Sequence, residues 1–289
     1  MQKLTFSGHD TFYCRHYWLK KGINFIEEGK SFTAKDAVID LGVGKNMVYA
    51  IRYWLRSFGL TEDNEQVVSQ LGKDIFANDG FDPYCEDIGT LWLLHYHLVS
   101  TEHASIYSMA FNAFRKVRVE FTRDHLLKYV IKYCSTNNIN YNENTINRDV
   151  SVFLNNYQPS AKSSTVEDSF SALLHELNII EKLGKIGKES SGQWFRLEMK
   201  NRADLPALIV LYCIVKNEQY SDSIQFDEFF EANGVGSVFC LSKDGLMEKI
   251  EAFQEIFPDI VYKDDGGVQT LQFKNKPTPE AVLNTYYVR

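Results

Sequence analysis

The sequence of 289 residues lacks the features that mark several classes of protein. No apolar run approaches the roughly 18 residues that a membrane-spanning helix needs, so no membrane partner is expected. The amino-terminal residues contain no hydrophobic signal segment, so no secretory signal is predicted. The five cysteines include no Cys-x-x-Cys pair, which excludes a zinc ribbon and argues against a disulfide framework. We therefore expect buried, reduced thiols in a cytoplasmic protein.

The chain as a whole has no excess of positive charge, but its amino-terminal segment does. The net charge is −7, yet residues 1–60 carry nine Lys or Arg against five Asp or Glu. Positive charge that is concentrated on one module allows an acidic protein to bind nucleic acid.

Residues 34–58 carry the pattern of a helix-turn-helix. A short helix ends near Leu41, and Gly42-Val43-Gly44 can form the turn to a second helix that starts at Lys45. The apolar residues of this second helix recur at helical spacing and predict one buried stripe: Met47, Ala50, Ile51, Trp54, Leu55 and Phe58. Gly59 ends the helix, and residues 66–68 are predicted to form a small wing.

The opposite face of this helix is cationic or hydrogen-bonding. Its members are Lys45, Asn46, Tyr49, Arg52 and Arg56. Such a face can enter a major groove, where Arg pairs with guanine, Asn pairs with adenine, and Lys or Tyr holds phosphates. The alternative interpretation is an ordinary solvated helix with three basic residues.

The order of helices followed by a small hairpin is predicted twice more along the chain, from weaker sequence patterns. Helices followed by a two-stranded hairpin are predicted for residues 119–202 and again for residues 203–289. The fold class is therefore mainly α (α+β), with tandem winged-helix-like units. The predicted domains are an amino-terminal winged helix with a helical extension (1–118), a middle unit (119–202) and a carboxyl-terminal unit (203–289). The last two lack a basic face, which favours a scaffold or protein-interaction role for them.

Two clusters of polar residues are candidates for catalysis. The first is Ser7-Gly8-His9-Asp10 with Arg15 nearby, a set that could position a phosphate or a metal-bound water. The alternative is that Ser7 or Asp10 caps the following helix. The second has four carboxylates within residues 79–87, Glu86 and Asp87 among them, and could hold Mg²⁺. The alternative here is an acidic first turn that complements the dipole of a helix.

Three long blocks resemble a known bacterial family. They are FSGHDTFYCRHYWLKKG, LGVGKNMVYAIRYWLRSFGL and DPYCEDIGTLWLLHYHLV. Together with weaker matches downstream, they are similar over essentially the whole chain to the SspB-like family of DNA phosphorothioation systems. The resemblance implies a Mg²⁺-dependent nicking endonuclease in anti-phage defence. It also implies sulfurtransferase, ATPase and cysteine desulfurase partners. It assigns no catalytic residue.

Residue chemistry and resemblance together give one hypothesis. The helix from Lys45 docks on double-stranded DNA, and Asp10 with Glu86 or Asp87 holds Mg²⁺. His9 acts as general acid or base, and Arg15 stabilises charge on the phosphate. The rival is a non-catalytic DNA-recognition adaptor, and a winged-helix regulator fits the first module alone. The sequence does not determine the oligomeric state, and a homodimer is one of the possibilities.

Overall fold

The structure, a computed structural model, describes residues 4–62, 66–158, 172–184, 192–231 and 233–288. By its internal contacts the chain divides into two compact units. Unit 1 comprises Met1–Ala110 and Phe114–Leu197, and unit 2 comprises Phe111–Ala113 and Glu198–Arg289. Unit 1 thus contains most of both the amino-terminal and the middle domain of the sequence analysis, whose division at residue 118 stays a prediction.

Helices precede and surround a small sheet in unit 1. The helices are α1 (Trp18–Glu27), α2 (Ala37–Leu41), α3 (Lys45–Ser57), α4 (Gln70–Phe76), α5 (Ile88–Ser100), α6 (Ser105–Ser108), α7 (Arg115–Val117), α8 (Arg123–Thr136) and α9 (Glu143–Tyr157). A π-helical turn, Met109–Phe114, which includes Phe111–Ala113 of unit 2, joins α6 to α7, and a 3₁₀ turn spans His175–Leu177. The strands β1 (Glu120–Thr122), β2 (Glu181–Leu183) and β3 (Trp194–Arg196) form an antiparallel sheet in the order β1-β3-β2.

Unit 2 repeats this sheet order with its own elements. Its helices are α10 (Ala207–Lys216), α11 (Phe226–Phe230), α12 (Val235–Phe239), α13 (Lys243–Ile256) and α14 (Pro279–Tyr287), and its strands are β4 (Ser223–Gln225), β5 (Ile260–Asp265) and β6 (Val268–Phe273). The antiparallel sheet runs β4-β6-β5. In both units a short strand leads directly into a helix, and two later antiparallel strands complete the sheet. The α+β class is therefore confirmed.

The helix-turn-helix segment forms as its sequence predicts. Gly42 ends α2 with φ +60°, a left-handed conformation in which glycine is strongly preferred, and α3 begins three residues later. Of the predicted apolar stripe, all residues but Met47 are buried; Val48 and Tyr53 are buried as well. The predicted wing is reduced to one antiparallel bridge between Thr61 and Val68 among the described residues.

Two expectations from composition can be compared with the described residues. All five cysteines are free and buried. Burial raises the pKa of the Cys14 and Cys213 thiols above the ordinary value, so these groups stay protonated and unreactive. None of the helices within the described ranges is long and apolar enough to cross a bilayer.

Candidate functional site

A cleft of about 430 Å³ brings the amino-terminal loop and helix α3 together. It is lined by Ser7, Gly8, Asp10, Asn46, Tyr49, Arg52, Tyr53 and His103. The cleft therefore combines residues from two separate predictions: the first polar cluster and the DNA-facing side of α3. Among the described residues that line it, Asp10 supplies the only carboxylate.

The floor of the cleft is a loop with an unusual backbone. Ser7, Gly8 and Asp10 have φ of 76°, 118° and 53°, all in the left-handed half of conformational space. A Cβ atom on Gly8 would lie 2.4 Å from Cδ2 of Tyr53, so only glycine lets the chain pass this close to the ring. Backbone in these regions persists only when the surroundings hold it in place.

A buried carboxylate from α9 holds this loop. Asp149 accepts hydrogen bonds from the Ser7 backbone N–H at 3.2 and 3.0 Å, and its Oδ1 lies 3.3 Å from Nε2 of His9. Both side chains are almost fully buried. Burial, followed by the nearby charge of Asp149, raises the pKa of Tyr53 above its usual value and keeps its hydroxyl neutral.

His9 lies under the cleft. It is 1% exposed, and its ring stacks on Trp54 at 5.4 Å and meets Tyr53 edge-on at 5.0 Å. A ring enclosed in this way anchors the loop and does not face a substrate. The geometry therefore does not support the predicted role of His9 as general acid or base. The predicted capping of α1 is not observed either, because the helix N-cap is Tyr17 and has no side-chain cap bond.

Asp10 is the part of the first cluster that reaches the surface. Its side chain is 36% exposed, and its two oxygens have different neighbours. Oδ2 accepts a hydrogen bond from the Asn46 amide at 2.9 Å, and Oδ1 lies 3.8 Å from Nη1 of Arg148. Asp10 thus joins α3 to α9.

The predicted DNA-facing residues of α3 lie on one side of the helix. Lys45, Asn46 and Tyr49 are exposed, and Arg52 and Arg56 are partly exposed. The Lys45 ammonium lies 6.0 Å from the centre of the Tyr49 ring, a cation–π arrangement. Asn46, Tyr49 and Arg52 also line the cleft, whereas DNA contact by any of the five stays a prediction.

Arg15, which is predicted to stabilise charge on the phosphate, lies beside a tryptophan. Its guanidinium lies 5.5 Å from the centre of the Trp18 ring, and its backbone pairs with Ala172. It is not among the residues that line the cleft. Arg52 is the guanidinium that lies with Asp10 there.

The second acidic cluster forms a turn before α5. Asp82 accepts hydrogen bonds from the backbone N–H groups of Glu86 and Asp87 at 2.9 and 3.0 Å, and Asp87 caps the helix through Gly89 at 2.6 Å. Asp87 therefore serves the helix terminus as its N-cap, and Asp82 holds the turn before it, whereas the first turn of α5 contains no acidic residue.

The described residues contain no preformed cluster of metal ligands. Within the part of the chain that the structure describes, no group of three or more His, Cys, Asp or Glu side chains is arranged to hold a metal ion. Neither Glu86 nor Asp87 is among the residues that line the cleft with Asp10, and Asp87 caps α5. The pairing of Asp10 with Glu86 or Asp87 on Mg²⁺ stays a prediction.

Sequence reasoning missed Arg148, Asp149, Tyr53 and His103. Arg148 and Asp149 are 138 and 142 residues from their partners in the loop, so no local spacing could reveal the contacts. A charged residue on the apolar side of α9, between Ile146 and Val150, was the available signal for Asp149.

Comparisons with known proteins agree with this architecture. Residues 6–287 match the family described as "Protein of unknown function (DUF4007)". The chain belongs to the DUF4007 family. No match is found among curated protein sequences.

Two solved structures resemble this DUF4007 protein over nearly its full length. The magnesium ion-bound SspB crystal structure has a TM-score of 0.86 and 27% identity, and covers 98% of this chain and 88% of that one. The SspB crystal structure has a TM-score of 0.85 with the same identity and coverage. The resemblance to the SspB-like family that the three sequence blocks indicate is confirmed.

Proposed function

We propose that this protein binds double-stranded DNA through α3 and nicks one strand, as a component of a DNA phosphorothioate modification system in anti-phage defence. Sulfurtransferase, ATPase and cysteine desulfurase components would be its partners. The full-length similarity to SspB crystal structures supports the assignment to such a system. The two sheets with matching strand order support winged-helix-like units within the fold.

One observation carries the nicking part of the proposal. The same cleft holds a guanidinium, Arg52, and a carboxylate, Asp10, beside the exposed face of α3. A DNA strand held on that face would place a phosphate near both groups. Residues for binding and for chemistry are thus adjacent, as a nuclease requires.

The side chains of the cleft have complementary roles in hydrolysis of a phosphodiester. Arg52 holds the phosphate and stabilises the charge that grows on its oxygens in the transition state. Asp10 orients a water molecule and accepts its proton as the new P–O bond forms, while the departing ester oxygen takes a proton from solvent.

Dependence on Mg²⁺ is part of the proposal. One of the neighbours is a magnesium-bound SspB structure. Mg²⁺ is commonly held by one or two carboxylates together with waters and substrate phosphates, so a preformed three-residue site is not required. In this chain Asp10 is the carboxylate that could contribute.

The test is a supercoiled-plasmid assay with the purified protein, in which Mg²⁺ is compared with EDTA. We expect open-circle product with Mg²⁺ and none with EDTA. Duplex binding without open-circle product, from protein whose folding is verified by circular dichroism, would contradict the nicking activity.

A DNA-recognition adaptor is the second candidate. The burial of His9 and the helix-capping role of Asp87 favour it, since these remove two of the groups on which a catalytic site was predicted. Such an adaptor would bind the target and leave cutting and sulfur insertion to its partners. The same plasmid assay separates the two candidates.

Replacing Arg52 with alanine is expected to weaken duplex binding by about 1–3 kcal/mol, because a guanidinium that contacts a base or phosphate is lost. Fluorescence anisotropy with a labelled duplex in EDTA measures the effect. Lys263→Ala removes the same charge from the exposed β5–β6 hairpin of unit 2 and is the control. Equal affinities of wild type and Arg52→Ala for the duplex would mean that this face of α3 does not contact DNA.

A further inference from the structure

Helix α9 has a solvent-facing side made of cationic and hydrogen-bonding groups. Its apolar residues, among them Ile146, Val150 and Phe153, are buried in unit 1. The other side presents, at helical spacing, Asn144, Asn147, Arg148, Ser151 and Asn155, all exposed or partly exposed. Past the first turn, which contains Glu143, the only carboxylate of the helix is Asp149, and it is buried.

A second guanidinium lies over this face. Arg123, at the start of α8, donates from Nε to Ser151 Oγ at 3.0 Å and from Nη2 to the Asn147 carbonyl at 2.8 Å. The side chain remains 35% exposed. The other exposed side chains that α9 itself contributes to this face are amides and a hydroxyl, and Arg123 and Arg148 add two positive charges to it. Each guanidinium has one carboxylate beside it: Asp124 Oδ1 lies 3.7 Å from Nη1 of Arg123, and Asp10 Oδ1 lies 3.8 Å from Nη1 of Arg148.

This face adjoins the cleft through Asp10. The Asp10 carboxylate contacts Arg148 of α9 on one oxygen and Asn46 of α3 on the other. The exposed faces of α3 and α9 are consequently neighbours within unit 1, and Asp10 is their shared contact.

The matching helix of unit 2 has the opposite character. Helix α13 precedes the hairpin β5–β6 as α9 precedes β2 and β3. Its exposed residues at helical spacing include Asp244, Glu248, Glu251 and Glu255. A duplex carries about one negative charge per 1.7 Å of its axis and would be repelled by that helix. The low acidity of α9 is thus not shared by the helix that occupies the equivalent place before the last two strands of unit 2.

We infer that the exposed face of α9 is a second DNA-contact surface, which binds the sugar–phosphate backbone of the same duplex that α3 engages. Arg148 and Arg123 pair with phosphates, and the amides of Asn144 and Asn147 donate to phosphate or sugar oxygens. The inference rests on the proposed DNA binding of α3 and extends it to a helix whose sequence shows no cationic stripe.

The test compares single variants by anisotropy in EDTA on several unrelated duplexes and over a range of salt concentrations. Arg148→Ala is expected to weaken binding about fivefold to tenfold on every duplex and to lower the slope of log K against log salt by about 1, as loss of one phosphate contact does. Arg148→Lys keeps the charge and should retain most of the affinity. Arg148 is 61% exposed, so neither variant should disturb folding.

The matched control is again Lys263→Ala, which removes one positive charge next to Asp264 and Asp265 in unit 2 and should bind as wild type does. If Arg52→Ala weakens binding while Arg148→Ala behaves like Lys263→Ala, the inference about α9 is wrong and the proposed function stands. If wild-type protein binds no duplex, the proposed function is wrong and the inference fails with it.

Discussion

Replacing Asp149 with alanine is expected to lower the free energy of unfolding of unit 1 by about 3 kcal/mol or more. The substitution leaves the Ser7 N–H and Nε2 of His9 buried without their acceptor, and each uncompensated polar group costs about 1–3 kcal/mol. It also removes the contact that holds the left-handed loop at Ser7, Gly8 and Asp10. Strained backbone of this kind relaxes once its anchor is gone.

Tryptophan fluorescence is the suitable probe for this experiment. All four tryptophans lie in unit 1, and Trp54 stacks directly on His9. Denaturant titration followed by tryptophan emission therefore reports on unit 1 even if unit 2 unfolds separately.

The neighbour of Asp149 is its control. Arg148→Ala alters the exposed side of the same helix and should change the unfolding midpoint little, because exposed ion pairs contribute about 0–1 kcal/mol. Asp149→Asn keeps one oxygen acceptor for Ser7 and should lie between the two. A midpoint for Asp149→Ala equal to that of wild type would mean that the carboxylate does not hold the loop.

Replacing Asp10 with alanine is expected to reduce plasmid nicking about 10²–10⁴-fold and to leave duplex affinity in EDTA at least as high as that of wild type. The activity falls because the described cleft loses its one carboxylate. Affinity is kept because a negative charge next to the bound phosphates is removed and Arg148 is released from its contact with Asp10. The two readouts are the rate of open-circle formation and the anisotropy titration.

Glu86→Ala is the control for this prediction. Glu86 is exposed and belongs to the turn before α5, so its removal should leave nicking unchanged if the cleft acts without it. Equal loss of nicking in Asp10→Ala and Glu86→Ala would support the pairing of Asp10 with Glu86 on Mg²⁺ that the sequence predicts. Nicking by Asp10→Ala at the wild-type rate would mean that the cleft is not the catalytic site.

The sequence was sufficient to predict elements whose determinants are local. The apolar spacing of α3, the glycine at residue 42 and the hairpin of β5 and β6 around Gly266-Gly267 all act within a few residues. For the same reason the cap of α8 by Thr122 could be anticipated from its position, and the side chain does accept from the His125 N–H.

Elements that depend on partners far along the chain could not be predicted. The strands β1 and β4 have three residues each and lead directly into helices, so they become strands only by pairing with β3 and β6. Thr145 is a suitable cap for α9 by residue type, but Asn142 caps the helix by accepting from the Thr145 N–H. Two suitable cap residues three positions apart give no local basis for choosing between them.

For the candidate site, too, local features could be predicted and long-range contacts could not. Residue type and helical spacing were enough to propose Asp10 and the polar face of α3 as functional. They could not show that both share one cleft or that His9 is enclosed beneath it. These features depend on the packing of Trp54, Tyr53 and Asp149 around the loop. Residue type alone cannot distinguish a buried histidine from a catalytic one.

The anchoring of the loop by Asp149 also bears on how the protein is made. Every residue that lines the cleft lies between Ser7 and His103, and these residues leave the ribosome before α9 does. The carboxylate that fixes the loop follows 142 positions after Ser7, and Asn156, which accepts from the Cys14 N–H, follows 142 positions after Cys14. A truncated product that ends before α9 therefore contains the whole lining of the cleft but none of the contacts from α9 that shape it. Early release of the nascent chain thus yields a fragment with the right side chains and no organised site.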